Sequence, residues 1–168
     1  LRVQNAIERA GRITLTDPVT QLPQGDLVDE QMEAAIKNGG QALLLVSILN
    51  LDSFREMYGI VAADDLLRAT ARMLLELLRD QHIASRFVGQ YDRSNFIVLT
   101  PAAESPTLTE RIRKHIEQSF SYFYSEEDRA SGRFGETSLA LQVHQFQPSA
   151  FSRQGLASLK AELEKKSS

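Results

Sequence analysis

Residues 88–101 read "VGQYDRSNFIVLTP". The run Phe96-Ile97-Val98-Leu99 is apolar and β-prone, as a buried strand requires. "IASRFVGQY" (83–91) before it has the same character. Between them stands a tight polar cluster, Asp92-Arg93-Ser94-Asn95. Two apolar runs joined by so short a polar segment predict a β-hairpin. The cluster is either a plain turn or the remnant of a reactive site.

Outward from the hairpin, "ALLLVSIL" (42–49) is apolar almost throughout, with Ser47 its single polar residue. So short a run after Gly39-Gly40 reads as a central strand covered on both faces. "TSLALQVHQF" (137–146) alternates Leu139, Leu141 and Val143 with Ala140, Gln142 and His144, which predicts a strand with one wetter face. Helical spacing marks "LVDEQMEAAIKNGG" (27–40), "AADDLLRATARMLLELLRD" (62–80), "SPTLTERIRKHIEQSFSYFY" (105–124) and "LASLKAELEKK" (156–166). "NLDSFREMYG" (50–59) is a shorter helix or turn. Thr107 and Glu110 have the spacing of a capping box. "LTDPVTQLPQGD" (15–26) is a structured loop broken by Pro18, Pro23 and Gly25, and "SEEDRASGRFGE" (125–136) a charged loop. The sum is one α+β domain with a mostly antiparallel central sheet flanked by helices.

The opening "LRVQNAIERAGRI" (1–13) has a short amphipathic pattern. Residues 1–14 are expected to be a linker or signalling helix and 15–168 the folded domain. The chain begins with Leu1 and is expected to be a piece of a longer polypeptide.

Composition narrows the chemistry. The net charge of −3 leaves no basic footprint for nucleic acid. No cysteine is present, which removes disulfides and thiolate metal sites and fits a cytoplasmic protein. His82, His115 and His144 have no metal-ligand spacing. No apolar run approaches the roughly 20 residues that span a bilayer.

Three segments together resemble the GGDEF (diguanylate cyclase) domain. "TDPVTQLPQG" (16–25) is similar to its entry motif D-x-L-T-G-L-P-N-R. "YGIVAADDLLRATARML" (58–74) resembles Y-G-(H/F)-x-x-G-D-x-(V/L)-L-x-x-x-A-x-x-L. "VGQYDRSNFIVLTP" resembles V-G-R-Y-G-G-D-E-F-x-(V/I)-L-x-P without a gap. "FYSEEDRASG" (123–132) resembles the subgroup that follows receiver domains in bacterial response regulators.

The resemblance implies a reaction in which two domains, each with one GTP, join their substrates into cyclic di-GMP. Divalent cations such as Mg²⁺ serve it, and hard cations demand carboxylate oxygens. The family supplies an Asp from the first strand and an acidic residue from the hairpin turn. Aligned without a gap, "SILNLDSFRE" (47–56) puts Ser47 at the metal-binding Asp, Leu49 at the next Asp and Arg55 at the guanine-contacting Asn. A gapped alternative anchored on "NLDSFR" puts Asn50 and Asp52 at the two Asp positions. In the turn, Asp92 and Arg93 replace the two glycines, Ser94 the next acidic residue and Asn95 the metal-binding Glu. The R-x-x-D product site falls on Ala84 and Phe87, with Arg86 out of register. Asp64 matches the guanine-reading Asp; its other reading is helix N-terminal electrostatics. Lys165 and Lys166 are phosphate candidates or a solvated charge run.

No intact catalytic or metal set remains, so no cofactor is expected. The expectation is a degenerate GGDEF output or interaction domain without catalysis. It would work with an upstream receiver or sensor domain, and with a second copy or a protein partner. The alternatives are a guanine-nucleotide sensor using Asp64, Arg55 and Arg93, or a cyclase with residual activity.

Overall fold

The structure, a computed structural model, describes residues 15–80 and 86–167. The opening helical pattern and Ala84 lie outside the described residues. Helix α1 (Asp26–Asn38) leads into β1 (Gln41–Leu49), α2 (Leu51–Tyr58) and α3 (Ile60–Asp80). The hairpin β2 (Phe87–Gln90) and β3 (Asn95–Pro101) follows, then α4 (Ser105–Ile112), α5 (Glu126–Ser131), β4 (Ala140–Phe146) and α6 (Leu156–Ser167). The sheet order is β2-β3-β1-β4, and every strand pair is antiparallel.

β1 is the continuous apolar run because it is covered on both faces. Leu44, Val46 and Ile48 face one layer, joined by Phe96 and Val98 of β3 and Leu141 and Val143 of β4. That layer is closed by α2, α3 and α4 through Phe54, Leu66, Leu74, Leu78, Leu108 and Ile112. Leu43 and Leu45, with Ile97 and Leu99, face the opposite layer, where Val28, Met32 and Ile36 of α1 and Leu159 and Leu163 of α6 cover them. The alternation in β4 is also observed: Leu141 and Val143 are buried, while Gln142 is exposed.

Close approach of α1 requires Gly89 in β2. A Cβ there would lie 2.7 Å from Val28 Cγ2 and 2.8 Å from the Phe87 ring. At the other end of α1, Gly39 and Gly40 both take positive φ (67° and 75°), turning the chain directly into β1.

Two local expectations are corrected. The 105–124 segment is not one regular helix capped by Thr107 and Glu110. α4 starts at Ser105 with no side-chain cap, because Pro106 in its first turn, which needs no N–H partner, sets the start. A wider helical turn (Arg113–Glu117) and a tighter one (Phe120–Phe123) then follow. The charged segment after it contains α5, capped by the Ser125 side chain on Asp128 N–H and closed by Gly132 at φ 62°.

Candidate functional site

The register of the two central strands decides what the hairpin turn can do. Ser47 of β1 lies directly opposite Asn95 of β3, at the last rung of their ladder. Both point to the α1/α6 side, two residues from the buried Leu45 and Ile97. Both are 2% exposed or less, so their polar atoms need partners.

They find each other. Ser47 Oγ donates to Asn95 Oδ1. Asn95 Nδ2 donates to Asp92 Oδ1 at 2.7 Å, and the Ser94 backbone N–H donates to the same oxygen at 3.1 Å. The turn is therefore closed by its own first residue, an Asx turn in which one carboxylate oxygen serves the loop while Asp92 itself stays exposed. Backbone bonds hold it to the sheet: Ile48 N–H to Ser94 O at 2.9 Å and Tyr91 N–H to Asn95 O at 2.9 Å.

Gln90, 2% exposed, ties this turn to the entry loop. Its Nε2 donates to Asp92 O at 2.6 Å, and its Oε1 accepts from Thr20 Oγ1 at 3.0 Å. Its backbone N–H donates to Pro23 O at 2.8 Å. The entry loop is held by Asp17, whose Oδ1 accepts from the Val19 and Thr20 N–H groups at 2.9 and 2.8 Å. Sequence reasoning passed over Gln90. The available signal was a lone amide in an apolar strand, standing where the family motif has Arg.

Tyr91 next to it has its phenol pushed up to about 12, by burial first and then by the nearby Glu164, Asp92 and Asp29 carboxylates. It stays neutral at physiological pH.

An open cleft of about 630 Å³ lies beside the turn, bounded among others by Asn50, Asp52, Asp92, Arg93 and Asn95, and by Ser167 at the end of α6. Arg93 is thus brought to the cleft. Asp64 on α3 and Arg55 on α2 are half-buried and lie outside its described lining. Asn50 sits at φ 66° and gives its Nδ2 to Ser138 O at 2.8 Å and Glu136 O at 3.2 Å. Phe87 is in β2, Lys165 pairs with Glu162 at 3.0 Å, and Lys166 is in the last turn of α6.

The Ser47–Asn95 rung itself offers no anionic oxygen to a divalent cation. Ser47 and Asn95 are neutral and bond to one another, while Asp92, exposed at the cleft, gives one carboxylate oxygen to its own turn. Arg93 adds positive charge to the adjoining cleft. Among the described residues, no group of three or more His, Asp or Glu is arranged to hold a metal ion.

The comparisons place this geometry in a family. The model of the diguanylate cyclase GGDEF domain matches residues 14–149. No curated protein matches the sequence. The coiled coil and GGDEF domain of DgcB from Caulobacter crescentus, solved with c-di-GMP, superposes with a TM-score of 0.69 at 17% identity, covering 97% of this chain and 85% of that one. The FimX GGDEF domain from Pseudomonas aeruginosa gives 0.58 at 18% identity, covering 90% and 94%. The S helix-GGDEF-EAL structure of Vibrio cholerae LapD, bound to c-di-GMP, gives 0.62 at 15% identity and covers 97% of this chain but 38% of its own. A sheet order of β2-β3-β1-β4, the hairpin turn at the end of β1 and a family match over most of the length agree: this chain belongs to the GGDEF domain family of c-di-GMP signalling.

Proposed function

We propose that this domain is a catalytically inactive GGDEF module, serving as an output or interaction domain of a bacterial signalling protein. The observation that carries the reading is the Ser47–Asn95 hydrogen bond at the rung where the family alignment expects two carboxylates. Two-metal phosphoryl chemistry requires anionic oxygens left free to bind cations. Here both positions are neutral, buried and mutually satisfied. Side chains at Asp92 and Arg93 also stand where glycines would let backbone approach a nucleotide.

The working mechanism is conformational. An upstream receiver or sensor domain repositions the segment before the entry loop, and the domain changes its partner or dimer state in a cytoplasmic setting. The Thr20–Gln90–Asp92 chain supports it, since it links the entry loop to the turn through a single buried side chain. No helix among the described residues is long and apolar enough to cross a membrane.

The test is turnover. The protein, incubated with GTP and Mg²⁺ or Mn²⁺, should form no cyclic di-GMP by mass detection; sustained formation would refute inactivity.

A second reading rests on Arg93 at the open cleft: a guanine-nucleotide sensor without turnover, with Arg93 on phosphate. Asp64 and Arg55 would have to reach the base from outside the observed lining. Calorimetry with GTP and GDP decides it, since binding lost in Arg93→Ala would support the sensor and absence of heat would remove it.

A further inference from the structure

The densest group of aromatic side chains lies away from the hairpin turn. Phe54 and Tyr58 of α2 meet Tyr124 and Phe134 from the segments on either side of α5. The Tyr124 and Phe134 ring centroids are 4.8 Å apart, Tyr58 is 5.8 Å from Tyr124, and Phe54 meets Tyr124 edge-on at 5.6 Å. Beside these rings is a cavity of about 260 Å³, bounded by Glu117, Phe120, Tyr124, Asp128, Phe134 and Leu139 among others. One water needs roughly 10–15 Å³ of such space, so this is not a packing defect. It shares no lining residue with the cleft at the turn.

The charged groups at the cavity are fixed in place. The Asp128 side chain is 14% exposed and accepts from the Tyr58 hydroxyl; its neighbour Arg133, 3.7 Å away, is 59% exposed and so a weak partner. The Tyr58 hydroxyl, with Ser125 and Arg133 behind it, holds the Asp128 carboxyl below the ordinary carboxylate range, so it is an anion at neutral pH. Glu117 is held by Leu141 N–H on Oε2 at 2.8 Å. Arg129, also on the rim, lies over the exposed Tyr122 ring at 5.8 Å. The Tyr124 hydroxyl accepts from Leu139 N–H at 2.8 Å, which fixes its ring plane.

We propose that this cavity binds an alkylated ammonium group, seated against the Tyr124 and Phe134 rings with Asp128 and Glu117 as its counter-charges. Aromatic faces attract a cation through their quadrupole, and most strongly when a weakly hydrated cation leaves water. The carboxylates add charge from positions that need no rearrangement. A free quaternary amine and a methylated lysine of a partner protein carry the same group.

The test is an NMR titration of the whole chain with choline, beside 3,3-dimethyl-1-butanol, its uncharged isostere. Choline should shift the Tyr124, Phe134 and Leu139 resonances saturably, and the isostere should not. Asp128→Asn keeps an acceptor for Tyr58 and should weaken choline binding about tenfold or more, and Phe134→Leu should do the same. Thermal melting of both variants checks folding, and Arg93→Ala should bind choline unchanged. A trimethyllysine peptide binding more tightly than choline would support a protein source, and the reverse a free amine. Equal shifts with the isostere, or no saturable shift at tens of millimolar choline, would overturn the proposal.

Discussion

Two neighbouring rungs of the β1–β3 ladder answer to different demands. At Val46↔Phe96 both side chains are fully buried in the layer beneath α2, α3 and α4. At Ser47↔Asn95, one residue on and on the opposite face, the side chains are as buried but polar. The first rung matches what a GGDEF fold needs, and Phe96 is the one residue of the family's turn motif retained. The second holds a neutral hydrogen bond; on the proposed reading, that bond has replaced ionic chemistry. Such an exchange is physically easy. Two carboxylates facing each other repel strongly unless cations lie between them, whereas Ser and Asn satisfy one another with no ligand. On that reading, fold and catalysis are separable across a single residue step.

The largest effect should come from the apolar rung. Phe96→Ala removes a fully buried ring and should cost about 3–5 kcal/mol, read as a lower denaturant midpoint. A much smaller cost would mean that the β1–β3 core is not as packed as described. Gly89→Ala tests the α1 contact on the other face. Its new Cβ would press on Val28 and Phe87, at about 1–3 kcal/mol. A neutral result would show that α1 can shift freely.

The polar rung should respond differently to single and paired changes. Asn95→Ala leaves the buried Ser47 Oγ without its partner and takes one of two donors from Asp92 Oδ1, and should cost about 1–3 kcal/mol. Adding Ser47→Ala should then cost little more, and the cycle should show coupling between the two. Strict additivity would mean that the hydrogen bond is absent in solution. The converse pair, Ser47→Asp with Asn95→Glu, should melt lower in EDTA and recover with Mg²⁺, because only a cation relieves the repulsion. Indifference to Mg²⁺ would show that the rung's geometry, as well as its charge, has been lost.

The smallest effect is a pH dependence beside the turn. Tyr91 titrates at about 12 in the fold against its ordinary 10. A raised folded value favours the protonated form, so this stabilisation is complete below pH 10 and fades as pH rises towards 12. Tyr91→Phe should flatten the stability profile across that window, and an unchanged profile would mean that Tyr91 is more exposed than described.

The sheet was readable in the sequence for simple reasons. β1 is apolar at every buried position except Ser47, and β4 alternates because Gln142 faces out while Leu141 and Val143 face in. The substituted turn was readable because "VGQYDRSNFIVLTP" aligns with the family without a gap. Other features could not be seen that way. α5 is hidden in a charged stretch whose helix depends on Ser125 and Gly132 at its two ends. The wide turn after α4, with Ile116 in the core, carries no signal in the periodicity. The aromatic group joins Tyr58 to Phe134 across the whole hairpin, and no spacing rule connects residues so far apart in the chain. Gln90 was legible as a polar oddity, but two of its three bridges depend on the folded entry loop.

The central claim is that the Ser47–Asn95 rung holds no catalytic metal. Amide NMR spectra with GTP present, recorded across a Mn²⁺ titration, test it most directly, because a paramagnetic ion broadens the residues that bind it. The account predicts no selective broadening at Ser47, Ser94 and Asn95 beyond that of exposed surface carboxylates. Early, selective loss of those three signals would contradict it.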